Sequence, residues 1–197
     1  MELDQLLMDR QRMRALLAEL GEMISREGKV VEIAIFGGSA LVLQFDFREG
    51  TEDVDYIPVR GDNALLKRLA TKVAARHGLH EDWINDAVWL NPQSRRGCTK
   101  FLGDFPFHKP GLRVFVAQPE YIFAMKVLAM RSSAVTKDVE DIWHLWDHLG
   151  ITSAQQAIDL TQSYYPGKTL PIRNIRLLED IDAAKRDGLS YSPMMGW

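Results

Sequence analysis

A chain of 197 residues, 46% hydrophobic and 26% charged, has ordinary globular composition, with length for one full core and too little for two domains of ~150 residues. Its 24 Lys and Arg against 27 Asp and Glu leave a formal charge of −3, which excludes holding nucleic acid or an anionic membrane by bulk charge, so any RNA contact must use a local basic patch. One cysteine, Cys98, excludes an intrachain disulfide and a thiolate metal cluster, and no apolar run reaches the ~18 residues of a membrane span. With a charged N-terminal segment that interrupts any signal-peptide core, the expectation is a soluble cytoplasmic protein with no membrane partner.

Leu3, Leu6, Leu7, Met13, Leu16, Leu17, Leu20, Met23 and Ile24 recur at spacings of three and four, predicting an amphipathic helix that Gly28 ends. Val30 to Phe36 is a β-branched run of strand length, apolar on both faces as a buried central strand requires. Gly37-Gly38-Ser39 turns the chain into a short helix over 40–45, a loop over 48–52 follows, and 53–59 reads as a second strand. Ala64 to His77 is helical, with Gly78 as its stop. The segment 83–92 is ambiguous, and 93–107, with Arg95, Arg96, Lys100 and several glycines, reads as mostly loop. Leu112 to Ala117 is a strand, and Pro119 opens a helix to about Arg131. Thr136-Lys137-Asp138 begins a helix that Gly150 ends, Ser153 caps another, and 175–185 is one more amphipathic stretch. The expected fold is α/β: a single domain over 1–197, with a small mixed sheet core over about 28–118, flanked by helices, and a helical part over about 119–197.

Chemistry concentrates in Phe36-Gly37-Gly38-Ser39, followed after a short interval by Asp53-Val54-Asp55. Glycines between a buried strand and a helix let the backbone turn tightly and approach a ligand, while the helix N-terminus offers amide donors and a positive dipole end to phosphate. Ser39 can add a hydroxyl. Strand alternation sends Asp53 and Asp55 to one face, about 7 Å apart by rise per residue, with Val54 turned into the core. Such a pair can hold a hard divalent cation, and magnesium commonly combines one or two carboxylates with substrate phosphates. Phosphoryl or nucleotidyl transfer is the chemistry these parts share.

The order of a hydrophobic strand, Gly-Gly-Ser and an acidic-hydrophobic-acidic triplet resembles the nucleotidyltransferase superfamily. Arg48-Glu49-Gly50-Thr51-Glu52-Asp53-Val54-Asp55, with its R-x-x-T-x-D-x-D form, is similar to the AbiEii-type toxin nucleotidyltransferases, as are Pro119 to Ala129 (P-E-x-x-x-A-x-K-L-x-A) and Lys137 to Ile142 (K-D-x-x-D-I). The resemblance covers roughly residues 30–145 and implies a nucleotidyltransferase fold that moves a nucleoside monophosphate from a nucleoside triphosphate to an acceptor hydroxyl. It implies Asp53, Asp55, Lys126 and Asp138 as catalytic residues. For the nucleotide it implies Gly37, Gly38, Ser39, Arg48, Thr51 and Lys126, with Mg2+ on Asp53 and Asp55. Transfer RNA is the acceptor it implies, and a cognate antitoxin the protein partner. A protein side chain or a small molecule as acceptor, and a nucleotide- or protein-binding module without turnover, are the alternatives. The strand Leu112 to Ala117 carries Arg113 and no acid, so the third strand carboxylate of many superfamily members has no counterpart there.

Three further groups have plainer readings. Asp141, His144 and His148 share one helix at spacings of three and four, but Trp143, Leu145 and Trp146 between them make the histidines boundary residues rather than zinc ligands. Arg95, Arg96, Lys100 and Phe101 form a basic loop that could touch an RNA backbone, but more often such a loop is simply solvated. Arg173, Arg176, Lys185 and Arg186 alternate with Glu179, Asp180 and Asp182 as a salt-bridged surface helix would. Trp83, with Asn85 and Asp86, is a candidate both for the core and for the wall of a nucleotide pocket.

Overall fold

The computed structural model describes residues 7–86, 97–130 and 137–192. Its elements run α1 (Arg10–Arg26), β1 (Val31–Ile35), α2 (Gly37–Gln44), β2 (Val54–Arg60), α3 (Asn63–His77), β3 (Ile84–Asn85), β4 (Thr99–Phe105), β5 (Leu112–Ala117), α4 (Pro119–Ala129), α5 (Lys137–His148), α6 (Ala154–Tyr164) and α7 (Ile172–Arg186). The fold is mixed α/β, as the sequence implies. The chain divides after Ala117 into two units; the described strands all belong to the first, and the described elements of the second are all helices.

In the first unit the strand order is β3-β2-β1-β5-β4, so the apolar run β1 is central. It pairs antiparallel with β2 and parallel with β5, in a register that sets Ile35 beside both Tyr56 and Val116. Val31, Ile33, Ile35, Val54, Tyr56, Leu112, Val114 and Val116 are all buried, forming one continuous apolar face, and α1 packs against β4 and β5 and against α3. The residues that alternate with them, Glu32, Asp55, Ile57, Arg113 and Phe115, are half-buried on the opposite face.

Two expectations change here. The helix predicted from Leu3 begins at Arg10, because Asp9 is extended and its carboxylate accepts the Arg12 amide at 2.7 Å; Met8 instead joins an antiparallel bridge with Thr51, and Leu3 and Leu6 lie outside the described residues. The stretch read as loop over 93–107 contains β4, an edge strand hairpinned to β5. Its alternation is broken where the register shifts between Phe101 and Gly103. What holds it is cross-strand contact: Phe101 meets Phe115 edge-on at 5.6 Å, and Arg113 pairs with Asp104 at 2.9 Å.

Helix α1 lies on this hairpin backbone to backbone. A Cβ on Gly21 would fall 2.0 Å from the Phe105 carbonyl oxygen, and one on Gly111 2.0 Å from the Gly21 carbonyl oxygen. No side chain fits at either position.

The second unit packs α4 against α5 and α6, and α6 against α7. Helix α4 buries Tyr121, Ile122, Phe123, Ala124 and Val127, which makes it the core helix of the unit. The buried Asn174 amide donates to the Val127 carbonyl at 2.6 Å, and the Ser153 hydroxyl accepts the Gln156 amide as the cap of α6.

Candidate active site

The glycine turn and the acids meet because β1 and β2 are neighbours. At the end of β1, the Phe36 amide donates to the Asp55 carbonyl at 2.9 Å. Gly37 then takes φ +61° and opens α2. A Cβ on Gly37 would stand 2.8 Å from Asp55 Oδ2, so the carboxylate lies directly over the bare glycine. A Cβ on Gly38 would stand 3.2 Å from Thr51 Oγ1 and 3.4 Å from Arg48 Nη2; the loop before β2 thus folds back onto the turn. Thr51, buried, donates to Asp53 Oδ1 at 3.5 Å. Gly37, Gly38, Arg48, Thr51, Asp53 and Asp55 are therefore gathered at one place in the first unit. The first-turn amides of α2 point out of its N-terminus toward that place, as helix geometry requires.

Ser39 sits in the first turn of α2. Its hydroxyl is buried and donates to the Phe36 carbonyl at 2.9 Å, so it braces the start of α2.

Asp53 is exposed just before β2 and Asp55 is half-buried within it. Among the described residues no group of three or more His, Cys, Asp or Glu side chains forms a metal cage. Two carboxylates beside a helix N-terminus are a hard-oxygen donor set of the kind that suits magnesium. On β5 the residue level with Ile35 is Val116, and Arg113 pairs with Asp104 and Glu32.

The ambiguous segment after α3 supplies β3, parallel to β2, with Asn85 in register with Asp55. Parallel partners share a face, so Asn85 adds an amide on the side of the sheet that carries Asp55. Its neighbours are engaged away from that face. Trp83 is fully buried and donates to the Ala70 carbonyl at 3.1 Å, which assigns it to the core rather than to a pocket wall. Asp86 accepts from Asn63 at 3.1 Å and pairs with Lys67 at 2.8 Å, while Asn63 accepts from the buried Tyr56 hydroxyl at 2.7 Å. Burial pushes the Tyr56 hydroxyl above its ordinary value, with the Asp86 charge acting in the same sense and the Asn63 bond opposing. The Lys67 bond holds Asp86 below the usual carboxylate range, against a smaller effect of burial.

In the second unit Lys126 is buried on α4, and its ammonium sits 2.6 Å from Asp138 and 2.7 Å from Asp141 of α5. Asp141 belongs to this group and not to a metal triad: His148 is exposed, and His144 lies beside the Tyr191 ring. Of the basic groups, Lys185 pairs with Asp147 and Arg186 with Asp182, as a salt-bridged surface helix would. Arg113 sits over the exposed Phe101 ring, and Arg95 and Arg96 lie outside the described residues. Cys98 is buried, which pushes its thiol up and away from thiolate chemistry. No described helix is long and apolar enough to cross a membrane.

A family described as Nucleotidyl transferase AbiEii toxin, Type IV TA system, matches residues 9–196. No curated protein and no solved structure gives a significant match.

Proposed function

The chain belongs to the AbiEii nucleotidyltransferase toxin family of type IV toxin–antitoxin systems, and from that premise we propose that it moves a nucleoside monophosphate from a nucleoside triphosphate to the 3′ end of a transfer RNA. The acceptor oxygen attacks the α-phosphorus and forms the new P–O bond. The bond from that phosphorus to the bridging oxygen breaks, and pyrophosphate leaves with the electron pair. Magnesium held by Asp53 and Asp55 supplies charge neutralisation of the triphosphate.

The observation that carries this reading is the close approach of Gly37 to Asp55 and of Gly38 to Arg48 and Thr51. It leaves bare backbone, a guanidinium and two acids at one helix start, which is what a metal-bound triphosphate requires. The amides of Gly37, Gly38 and Ser39 would receive the β and γ phosphates, with Arg48 and Thr51 beside them. The resemblance further implies catalytic parts for Lys126 and Asp138, which pair with each other in the second unit. A cognate antitoxin is the partner the reading implies, and the cytoplasm is where it places the protein.

Transfer of label from each of four α-labelled nucleoside triphosphates, with magnesium, into total RNA and total protein tests it. Label in a tRNA-sized band, lost in Asp53→Asn/Asp55→Asn, is the expected result. Label in protein would replace the RNA acceptor with a polypeptide. Triphosphate binding without label in either would turn the reading toward a small-molecule acceptor or a binding module.

A further inference from the structure

We propose that the Phe101 ring is a stacking platform for one base of the single-stranded 3′ end of the RNA acceptor. This rests on the transfer reading above and adds to it a contact for the acceptor that lies wholly within the first unit.

The sheet register places the ring. Phe101 pairs with Phe115, Phe115 with Ala34 and Ala34 with Ile57, so the four form one row across β4, β5, β1 and β2 on one face of the sheet. Ile57 is two residues from Asp55, which puts Asp55 on that face as well. Three strand spacings and two residues of rise separate Phe101 from Asp55 by about 16 Å. Regular alternation from Gly103, the partner of the buried Val114, would turn Phe101 into the core. The register shift between Phe101 and Gly103 sends it to the Asp55 face instead.

The row opens at its β4 end. Phe101 is 54% exposed, whereas Ala34 is buried and Ile57 and Phe115 are half-buried. The ring is nonetheless held, because Phe115 meets it edge-on at 5.6 Å and the Arg113 guanidinium lies over it at 5.8 Å. A ring already fixed has little freedom left to lose when a ligand stacks on it. Charge decides what that ligand is. Arg113 is engaged by Asp104 at 2.9 Å and by Glu32 at 3.6 Å, so one cation faces two carboxylates and the row is no seat for phosphate. A nucleobase, uncharged and with a π-face, suits it, and Lys100, exposed beside Phe101 on the edge strand, is a partner for the adjoining phosphate. In a duplex the bases are already stacked on one another, so only an unpaired end offers a free face. At about 16 Å from Asp55, the stacked base stands a few nucleotides inward of the hydroxyl that reacts.

The full chain tests this through Phe101→Ala and Phe101→Trp, in the tRNA labelling reaction and in binding to a short single-stranded RNA. Phe101→Ala is expected to raise KM for tRNA by about 5- to 150-fold, the scale of one lost base stack, with KM for the triphosphate unchanged. Phe101→Trp should keep the wild-type KM. Its added indole, read as the difference in emission from wild type, should be quenched by the single strand and not by that strand annealed to its complement. An abasic residue at the stacked position should weaken binding to wild type and have no further effect on Phe101→Ala. An unchanged KM for tRNA in folded Phe101→Ala would overturn the proposal and leave the ring to a protein partner, and equal quenching by strand and duplex would overturn it too. If Phe101→Ala does not fold, Phe101→Leu keeps apolar contact with Phe115 and removes the π-face, with the same rise in KM expected. If the wild type labels no RNA, the transfer reading fails by itself. The platform then stands if the single strand quenches Phe101→Trp and binds Phe101→Ala more weakly than wild type, and falls if it does neither.

Discussion

Tyr56 and Asp86 share one hydrogen-bonded string through Asn63, and their shifts have opposite consequences for stability against pH. Asp86 is held low by Lys67, so its contribution is present above an unfolded value of about 3.9 and is lost as pH falls through the lower folded value. The gap in urea midpoint between wild type and Asp86→Asn should therefore narrow in acid, and a constant gap would contradict the ion pair. Tyr56 is held high, mainly by burial. Its contribution is complete below about pH 10 and is lost as pH rises toward the folded value. Tyr56→Phe should flatten that alkaline loss while costing about 1 kcal/mol at neutral pH for the missing hydrogen bond. At Gly37, alanine meets both a left-handed backbone and the Asp55 carboxylate 2.8 Å away. The backbone strain costs about 1–2 kcal/mol, and label transfer should fall well beyond what thermal unfolding registers. Full transfer by Gly37→Ala would mean that Asp55 is not fixed by the turn.

Elements whose signals are local could be read from the chain. The glycine-to-acid stretch was legible because β1 and β2 are joined by only α2 and a short loop, so residues adjacent in sequence remain adjacent in space. Helix α3 carries its own stop, with Gly78 at φ +62°. Strand β4 was not legible: it exists by pairing with β5, and the shift at Phe101/Gly103 erases the two-residue period that would have announced it. The start of α1 was misplaced because hydrophobic period alone does not show where a cap stands. Asp9→Ala should cost about 1 kcal/mol, read as a lower urea midpoint; no change would deny the cap. The pairing of Asp141 with Lys126 was not legible for a related reason, since Lys126 arrives from another helix through packing.

At the scale of the whole molecule, a ligand that binds only the folded chain raises its stability by mass action. Magnesium and triphosphate at 100 times Kd would add about 2.7 kcal/mol, which for a chain of this length is a Tm increase of roughly 5–11 °C. Chelation of magnesium, or Asp53→Asn/Asp55→Asn, should abolish the increase, and an undiminished increase in the double variant would place the triphosphate elsewhere. As a member of a toxin family, the chain should also arrest growth when expressed, and Asp53→Asn should relieve the arrest. That phenotype turns the contact between α1 and the β4–β5 hairpin into something selectable. Gly21 and Gly111 carry no reacting group, yet any side chain at either must force helix and hairpin apart. Colonies that survive expression of randomly mutated genes should therefore collect substitutions at these two glycines alongside those at Asp53 and Asp55. Survivors of the two kinds would separate on a gel of soluble protein, the first depleted and the second abundant.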